Sequence, residues 1–465
     1  MKKRKKLLIP TVGLLTSITI LTGHVFAETT PIQNQIQTNN SVVTSQNQYL
    51  ENLAYSIGIQ AYLYGFPLVD VARTRQLFED PWNTFLHHRD LKDHTFREVV
   101  APNNDTLYSS AWVDLSNGPV VLSVPDVGDR YYSLQFLDTY TNAFDYVGTR
   151  ETGTKAGKYV IVGPDWKGEL DKSSKVIQSP TTMVWLLGRT LVDGEKDLEN
   201  VHAIQDHYTL TPLNGGQTKS SIHLPPISAS DLNDPARFFD IMTQLMNLFP
   251  PPVTDAAMLS QFKLIGIDPN NGFQGSKDPA IMAGLTRAVK DAQEIIEKSV
   301  NRVGTLNNNW AMFYDIGTYG TDYLTRAVVD KFGLGANIPA EAMYPRTQVD
   351  SDGNPLSGEH QYVIHFEKEE LPPVDAFWSL SMYGSDQFFV DNPIKRYAIG
   401  DRTEELIYNA DGSLDIYIQN SPPEGKELNW LPAPSDEFVL MLRMYMPKQS
   451  ILEGTYQMPK IQKVK

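Results

Sequence analysis

The spacing of apolar positions changes period along the chain, and the changes mark out its organisation. Leu50, Leu53, Ala54, Ile57, Ala61 and Tyr64 recur at three- and four-residue intervals, which predicts a helix. Pro67 is expected to end it, because proline has no amide hydrogen to donate. From about Val99 to Leu191 the period falls to two. Val120, Leu122 and Val124 alternate after Gly118-Pro119, and Tyr132, Leu134 and Phe136 alternate after Gly128-Asp129. Tyr159 to Val162 is stopped by Gly163-Pro164, and Met183 to Leu187 is another short apolar run. Short strands between such turns predict an antiparallel β domain.

The middle reads as helical. Asp234-Pro235 and Asp278-Pro279 each place a capping acid before a proline at the first helical position. Phe238, Met242, Leu245 and Phe249 form one apolar stripe; Ile281, Leu285, Val289, Ala292 and Ile296 form another. A third helix is predicted from about Gly320 to Phe332, capped by Gly333. From about Tyr344 the chain returns to β, with a turn at Asp411-Gly412 before the alternation Leu414, Ile416, Ile418. The run Phe438 to Met446 is apolar on both faces except at Arg443, which predicts a strand near the centre of a sandwich.

The fold class expected is therefore mainly β with a helical segment (α+β): two antiparallel β-sandwich or barrel-like domains joined by helices. Residues 49–225 would hold the first helix and β domain, 226–343 the helical connection and 344–465 the second β domain. Residues 28–48, rich in Gln, Asn, Thr and Ser, read as a disordered leader.

The first 27 residues change the picture of where the protein works. Lys2 to Lys6 form a basic start, Leu7 to Leu21 an apolar run and Val25-Phe26-Ala27 a small-residue cleavage site. That is the layout of a secretory signal peptide cut after Ala27, too short and too interrupted by Pro10, Gly13 and hydroxyl residues to span a bilayer. Cleavage would remove five of the 40 basic residues and none of the 55 acidic ones, taking the formal charge from −15 to −20. So acidic a chain is not expected to bind nucleic acid, nor to stay inserted in a membrane. It has no cysteine, which excludes disulfides, thiolate catalysis and cysteine-ligated metals.

No metal or cofactor is expected. His88-Arg89-Asp90-Leu91 imitates a kinase catalytic loop but lacks its glycine-rich loop and Asp-Phe-Gly partner. Asp350, Asp352, Gly353 and Glu359 fit some EF-hand positions, but Pro355 and the non-helical flanks favour a β-turn. Two polar segments carry more promise. The first contains Asn103, Asp105, Tyr108, Arg130, Tyr132, Asp138 and Asn142; the second joins Arg326 to Trp378 and Arg396. Asp105 is the candidate acid/base. Arg130 and Arg326 would hold an anionic or hydroxylated group, Tyr108, Tyr132 and Trp378 would stack on it, and Asn103, Asp138, Asn142 and Arg396 complete the ligand-binding set. The same residue types also serve a buried network that fixes loops between domains.

These segments carry a family pattern. Ala61-Tyr62-Leu63-Tyr64-Gly65-Phe66-Pro67, Pro102-Asn103-Asn104-Asp105-Thr106-Leu107-Tyr108-Ser109 and Arg130-Tyr131-Tyr132 are followed by Phe377-Trp378-Ser379-Leu380, Ala410-Asp411-Gly412-Ser413 and Asn429-Trp430-Leu431-Pro432. With these the chain resembles the exported bacterial proteins that pair the domains of unknown function 1254 and 1214. The resemblance implies two sandwich or barrel-like domains and a homo-oligomer; it carries over no catalytic residue. Two functions follow as expectations. One is an exported protein that binds, or binds and hydrolyses or modifies, a small polar or glycan-like molecule at the cell envelope. The other is a non-enzymatic envelope structural, assembly or recognition protein.

Overall fold

Alternation in the N-terminal half produces nine strands: β1 (Phe85–His87), β2 (Thr106–Asp114), β3 (Val120–Val124), β4 (Tyr132–Leu137), β5 (Ala143–Gly148), β6 (Gly157–Val162), β7 (Lys175–Gln178), β8 (Met183–Leu191) and β9 (Thr209–Pro212). The structure is a computed structural model that describes residues 32–464 apart from 79, 98–99, 214 and 216–219, with the backbone alone at 32–44 and 301. The expected signal peptide lies outside the described residues. One sheet has the order β1-β2-β8-β4-β5 and a second β7-β6-β3-β9. Val113, Leu122, Leu134, Phe136, Ile161 and Val184 meet between them in one core, so the pair is a sandwich. No sheet among the described residues closes into a barrel. Nor is the pairing wholly antiparallel: β6 and β7 run parallel, because the loop between them is long enough to bring the chain back to its starting end.

The opposite face of the five-stranded sheet presents Trp112, Leu137, Tyr146, Trp185 and Leu187 to a layer of helices. The helices are α1 (Ile32–Gln76), α2 (Leu198–Gln205), α3 (Pro235–Leu248), α4 (Ala256–Lys263), α5 (Pro279–Ser299) and α6 (Tyr323–Gly333), with a short α7 (Gln449–Leu452) near the C-terminus. Asp234 and Asp278 cap α3 and α5 as expected, each accepting two amide hydrogens of the first turn. Two expectations for α1 fail. It begins at Ile32, so residues 32–48 are helical rather than a disordered leader, and it runs through Pro67. Proline removes one rung of the ladder, but Phe66, Leu68 and Val69 are all buried in the helical core, and that packing outweighs the lost bond.

The C-terminal half forms the second sandwich. A small hairpin of β10 (Ile267–Asp268) and β11 (Gly272–Phe273) precedes it. Its strands are β12 (Thr305–Asn307), β13 (Trp310–Met312), β14 (Ala342–Met343), β15 (Arg346–Thr347), β16 (Tyr362–Phe366), β17 (Val374–Gly384), β18 (Ala398–Gly400), β19 (Leu414–Gln419), β20 (Trp430–Pro432), β21 (Phe438–Pro447) and β22 (Ile461–Lys463). The larger sheet runs β12-β13-β15-β21-β17-β18, with β14 also on β21; the smaller runs β20-β19-β16-β22. Here too one pair, β19 with β20, is parallel. Trp378, Leu380, Leu440, Leu442 and Met444 face Ile364, Ile416 and Ile418 across this second core. On the other face Phe377 and Tyr445 pack against Tyr131 of the first sandwich, and Val439 and Met441 are half-buried beside Tyr383, Phe389 and Tyr397, which explains the apolar character of β21 on both faces. At the suspected EF-hand, Asp350 turns its carboxylate onto the amides of Asp352 and Asn354 within a tight turn.

Helices α1 and α5 cross with almost no gap. A β-carbon on Gly284 would lie 2.2 Å from the Glu51 carbonyl oxygen and 2.8 Å from the Ala54 β-carbon. Gly284→Ala is therefore expected to force the helices apart and cost about 1–3 kcal/mol. Scanning calorimetry would show this as a lowered melting temperature. Gly333→Ala, where a β-carbon meets nothing within 4 Å, is the control and should melt close to the wild type.

Candidate ligand site at the junction of the sandwiches

The residues leading into β2 form a peg that the first sandwich drives into the second. Ala101 holds a left-handed backbone conformation with φ of 51°, which a side-chain-bearing residue keeps only where its surroundings enforce it. The enforcement is visible: its amide donates to the Gln387 carbonyl at 2.8 Å, and its own carbonyl accepts from Arg443 at 2.9 Å. Pro102 accepts from the Tyr383 hydroxyl at 2.7 Å. The Asn103 side chain donates to the Tyr445 hydroxyl at 2.7 Å, while its oxygen takes the Asp105 amide. Asp105 then has both carboxylate oxygens engaged, one by Arg402 at 2.8 Å and the other by the Ser379 hydroxyl at 2.6 Å.

A second seam runs alongside. Tyr131 donates to Glu341 at 2.7 Å, and Arg150 pairs with the other oxygen of the same carboxylate. Arg189 of β8 donates to Gln135, to Asn337 and to the Gly335 carbonyl. Asn337 in turn donates to the Tyr344 hydroxyl at 2.8 Å.

Between the seams stand Tyr108 and Tyr344. Tyr108 and Tyr344 keep part of their surface accessible, although Asn103, Arg189, Asn337, Arg443 and Tyr445 around them are buried. The Arg189 guanidinium lies 5.4 Å from the Tyr108 ring centre, and that of Arg443 lies 5.5 Å from the Tyr344 ring centre. The other arginines of the junction have carboxylates: Arg402 pairs with Asp105 and Asp193, and Arg150 with Glu341. Arg189 and Arg443 have none among the described residues. Their partners are carbonyls, amides and hydroxyls, and the Arg189 Nε has no hydrogen-bond partner among the described residues.

This charge distribution shows in the tyrosines. Burial raises the Tyr344 and Tyr383 phenols, and raises Tyr445 furthest. Tyr108 moves the other way. Burial acts on it as well, but the charges of Arg189 and Arg443 and hydrogen bonds from Arg189 and Asn103 outweigh burial and hold the phenol below its ordinary value. Asp401, beside Arg402, is pushed up to about 6, chiefly by burial.

Of the residues singled out from the sequence, the junction brings together Asn103, Asp105 and Tyr108. The others are placed elsewhere. Arg130 grips Asp197 with two hydrogen bonds. Tyr132 turns its ring into the first sandwich core and Trp378 into the second. Asp138 closes the turn 138–142 by accepting from the Tyr140 and Asn142 amides, and Asn142 donates back to it. Arg326 sits in the helical layer among the rings of Tyr64, Tyr140 and Tyr323. Arg396 donates to the carbonyls of Glu427, Leu428 and Trp430. Arg189, Tyr344 and Arg443 were missed. The available signal was an arginine lodged in a strand whose neighbours are apolar on both faces, as both Arg189 and Arg443 are.

Fold and junction together define an α+β protein of two sandwiches joined by a polar, hydrogen-bonded seam. The chain belongs to the proteins that pair two domains of unknown function: DUF1254 matches residues 82–212 and DUF1214 matches residues 341–449. Arg189 and Tyr108 thus fall in the first domain and Arg443 and Tyr344 in the second. The crystal structure of the VPA0106 protein from Vibrio parahaemolyticus is similar, with a TM-score of 0.70 at 24% identity over 90% of this chain and 100% of that one. An uncharacterised Burkholderia cenocepacia protein aligns over 92% of this chain and 98% of its own, at 12% identity and a TM-score of 0.44. A comparison with curated proteins finds no match.

The Asp401 shift gives a pH dependence with a definite sign. Its folded value of about 6 lies above the ordinary 3.8, so the folded state holds an extra proton between those values. Its contribution is fully present below pH 3.8 and is lost as pH rises through 6, by up to about 3 kcal/mol. Urea unfolding at pH 4, 5, 6 and 7 should therefore show Asp401→Asn gaining stability relative to wild type across that range. A difference that stays flat would mean that Asp401 ionises normally.

Proposed function

We propose that this is an exported protein that binds a small organic acid, acidic sugars included, at the junction of its two sandwiches. The observation that carries the reading is the pair of buried guanidiniums at the junction, Arg189 and Arg443, that have no carboxylate partner among the described residues. Burying an unpaired ion costs several kcal/mol even after relaxation, and a bound anion would offset that cost. Guanidiniums also match the two oxygens of a carboxylate in shape, and the Tyr108 and Tyr344 rings offer apolar walls with polar tips. Export rests on the basic and apolar N-terminus, which belongs with work at the cell envelope. Among the described residues no helix is long and apolar enough to cross a membrane.

The test is thermal denaturation of the chain in acetate, D-glucuronate and phosphate against chloride at matched ionic strength. An acid at 100 times its dissociation constant should stabilise the fold by about 2.7 kcal/mol. Arg443→Gln should weaken that binding tenfold or more. If no acid moves the midpoint, and Arg443→Met melts well below wild type, the arginines serve only to join the domains.

A further inference from the structure

The helical layer holds a cleft that the junction does not use. Its volume is about 660 Å³, within the range of small-molecule sites. Ile59 and Leu63 of α1, Met258 of α4, Ile295 of α5 and Leu324 of α6 give it apolar walls. Asp255 and Tyr323 also line it, and both are buried, so they form its inner end. None of the lining side chains is a lysine, arginine or histidine.

Asp255 carries a charge that no ion pair meets. It stands just ahead of α4 yet makes no side-chain cap on that helix. Its carboxylate instead accepts from three hydroxyls: Tyr64 at 2.9 Å on Oδ2, and Tyr323 at 2.8 Å and Thr254 at 3.1 Å on Oδ1. A carboxylate has about four acceptor positions, so one is left on Oδ2. Hydroxyls supply dipoles but no positive charge. Arg326, lodged among the rings of Tyr64 and Tyr323, donates to the Tyr64 carbonyl and makes no ion pair with Asp255 among the described residues. The other acid of the cleft, Asp322, is already committed, because it caps α6 by accepting from the amide and hydroxyl of Thr325.

We propose that this cleft binds a small amphipathic organic cation, a protonated primary amine with an apolar body, its ammonium seated on Asp255. The body would lie against Ile59, Leu63, Met258, Ile295 and Leu324. An ammonium has three hydrogens to donate: the open position on Asp255 takes one, and the hydroxyl oxygens of Tyr323 and Thr254 keep lone pairs for the others. The charge-assisted bond gives the buried carboxylate the positive partner that its three hydroxyls cannot supply. A neutral ligand of the same shape would fill the walls and leave that charge unmet. The site takes the opposite charge to the one proposed at the junction and does not rest on it.

The experiment is isothermal titration calorimetry of the full chain at physiological ionic strength with phenethylamine, and with 2-phenylethanol as its neutral counterpart. The amine should bind, and the alcohol should bind at least tenfold more weakly. Asp255→Asn should bring the amine down to the alcohol, and Met258→Trp, which fills the cleft and leaves the carboxylate in place, should abolish binding of the amine. Equal binding of amine and alcohol by wild type, or no binding of the amine, overturns the proposal, and neither result depends on a variant folding. Amine binding that keeps its wild-type strength in Asp255→Asn or in Met258→Trp places the amine elsewhere on this acidic chain and overturns it as well.

Discussion

Everything at the junction depends on the five residues from Ala101 to Asp105 being seated on the outer face of β17 and β21. Those residues have little apolar surface, so their position is held by hydrogen bonds with fixed directions. Arg443 grips two successive carbonyls, Tyr383 takes one of the same carbonyls, and Ser379 and Arg402 divide the Asp105 carboxylate. Directional bonds fix register in a way that hydrophobic contact does not. With the peg in register, β2 enters its sheet with Tyr108 turned toward Arg443 and away from the sandwich core.

The electrostatics follow from that placement. Asp105 neutralises Arg402, and Glu341 neutralises Arg150, so the acids of the junction are consumed at its edges. At its centre the two remaining guanidiniums meet only dipoles and phenols. Arginine keeps its proton in any protein environment, so the imbalance cannot be relieved by deprotonation. Within the protein it is met by carbonyl, amide and hydroxyl oxygens. A structural network with no further task could have placed an acid there, as this one does at both edges.

Much of the fold was legible because burial on one face imposes a period. β3, β4 and β19 alternate as read, and the Asp-Pro caps of α3 and α5 stand where the sequence puts them. α1 was misread at Pro67 because a local rule was applied where tertiary packing decides, and the parallel pairs β6·β7 and β19·β20 depend on loop paths that no period records. The site was legible only in part. Asn103, Asp105 and Tyr108 lie together in a polar run and attract notice, whereas Arg189 and Arg443 are each the one charged residue of a largely apolar strand. Arg130, Arg326 and Arg396 resemble them in composition, but their neighbours in space are a carboxylate, a nest of rings and a set of carbonyls. Only the fold separates these environments.

The distribution of the junction between two distant stretches of chain has a consequence for how the protein matures. Pro102 and Arg443 meet across most of the sequence, so the junction cannot form until the final strands are in place and the sandwiches have docked. Before docking, each half keeps its arginine hydrated, where an unpaired charge is cheap. Closing the halves creates the unfavourable burial as a single late event. The last step of assembly is therefore the one that a bound acid would favour most, by mass action on the docked state. A joint between residues so far apart in sequence is thus completed last and depends on both halves being folded.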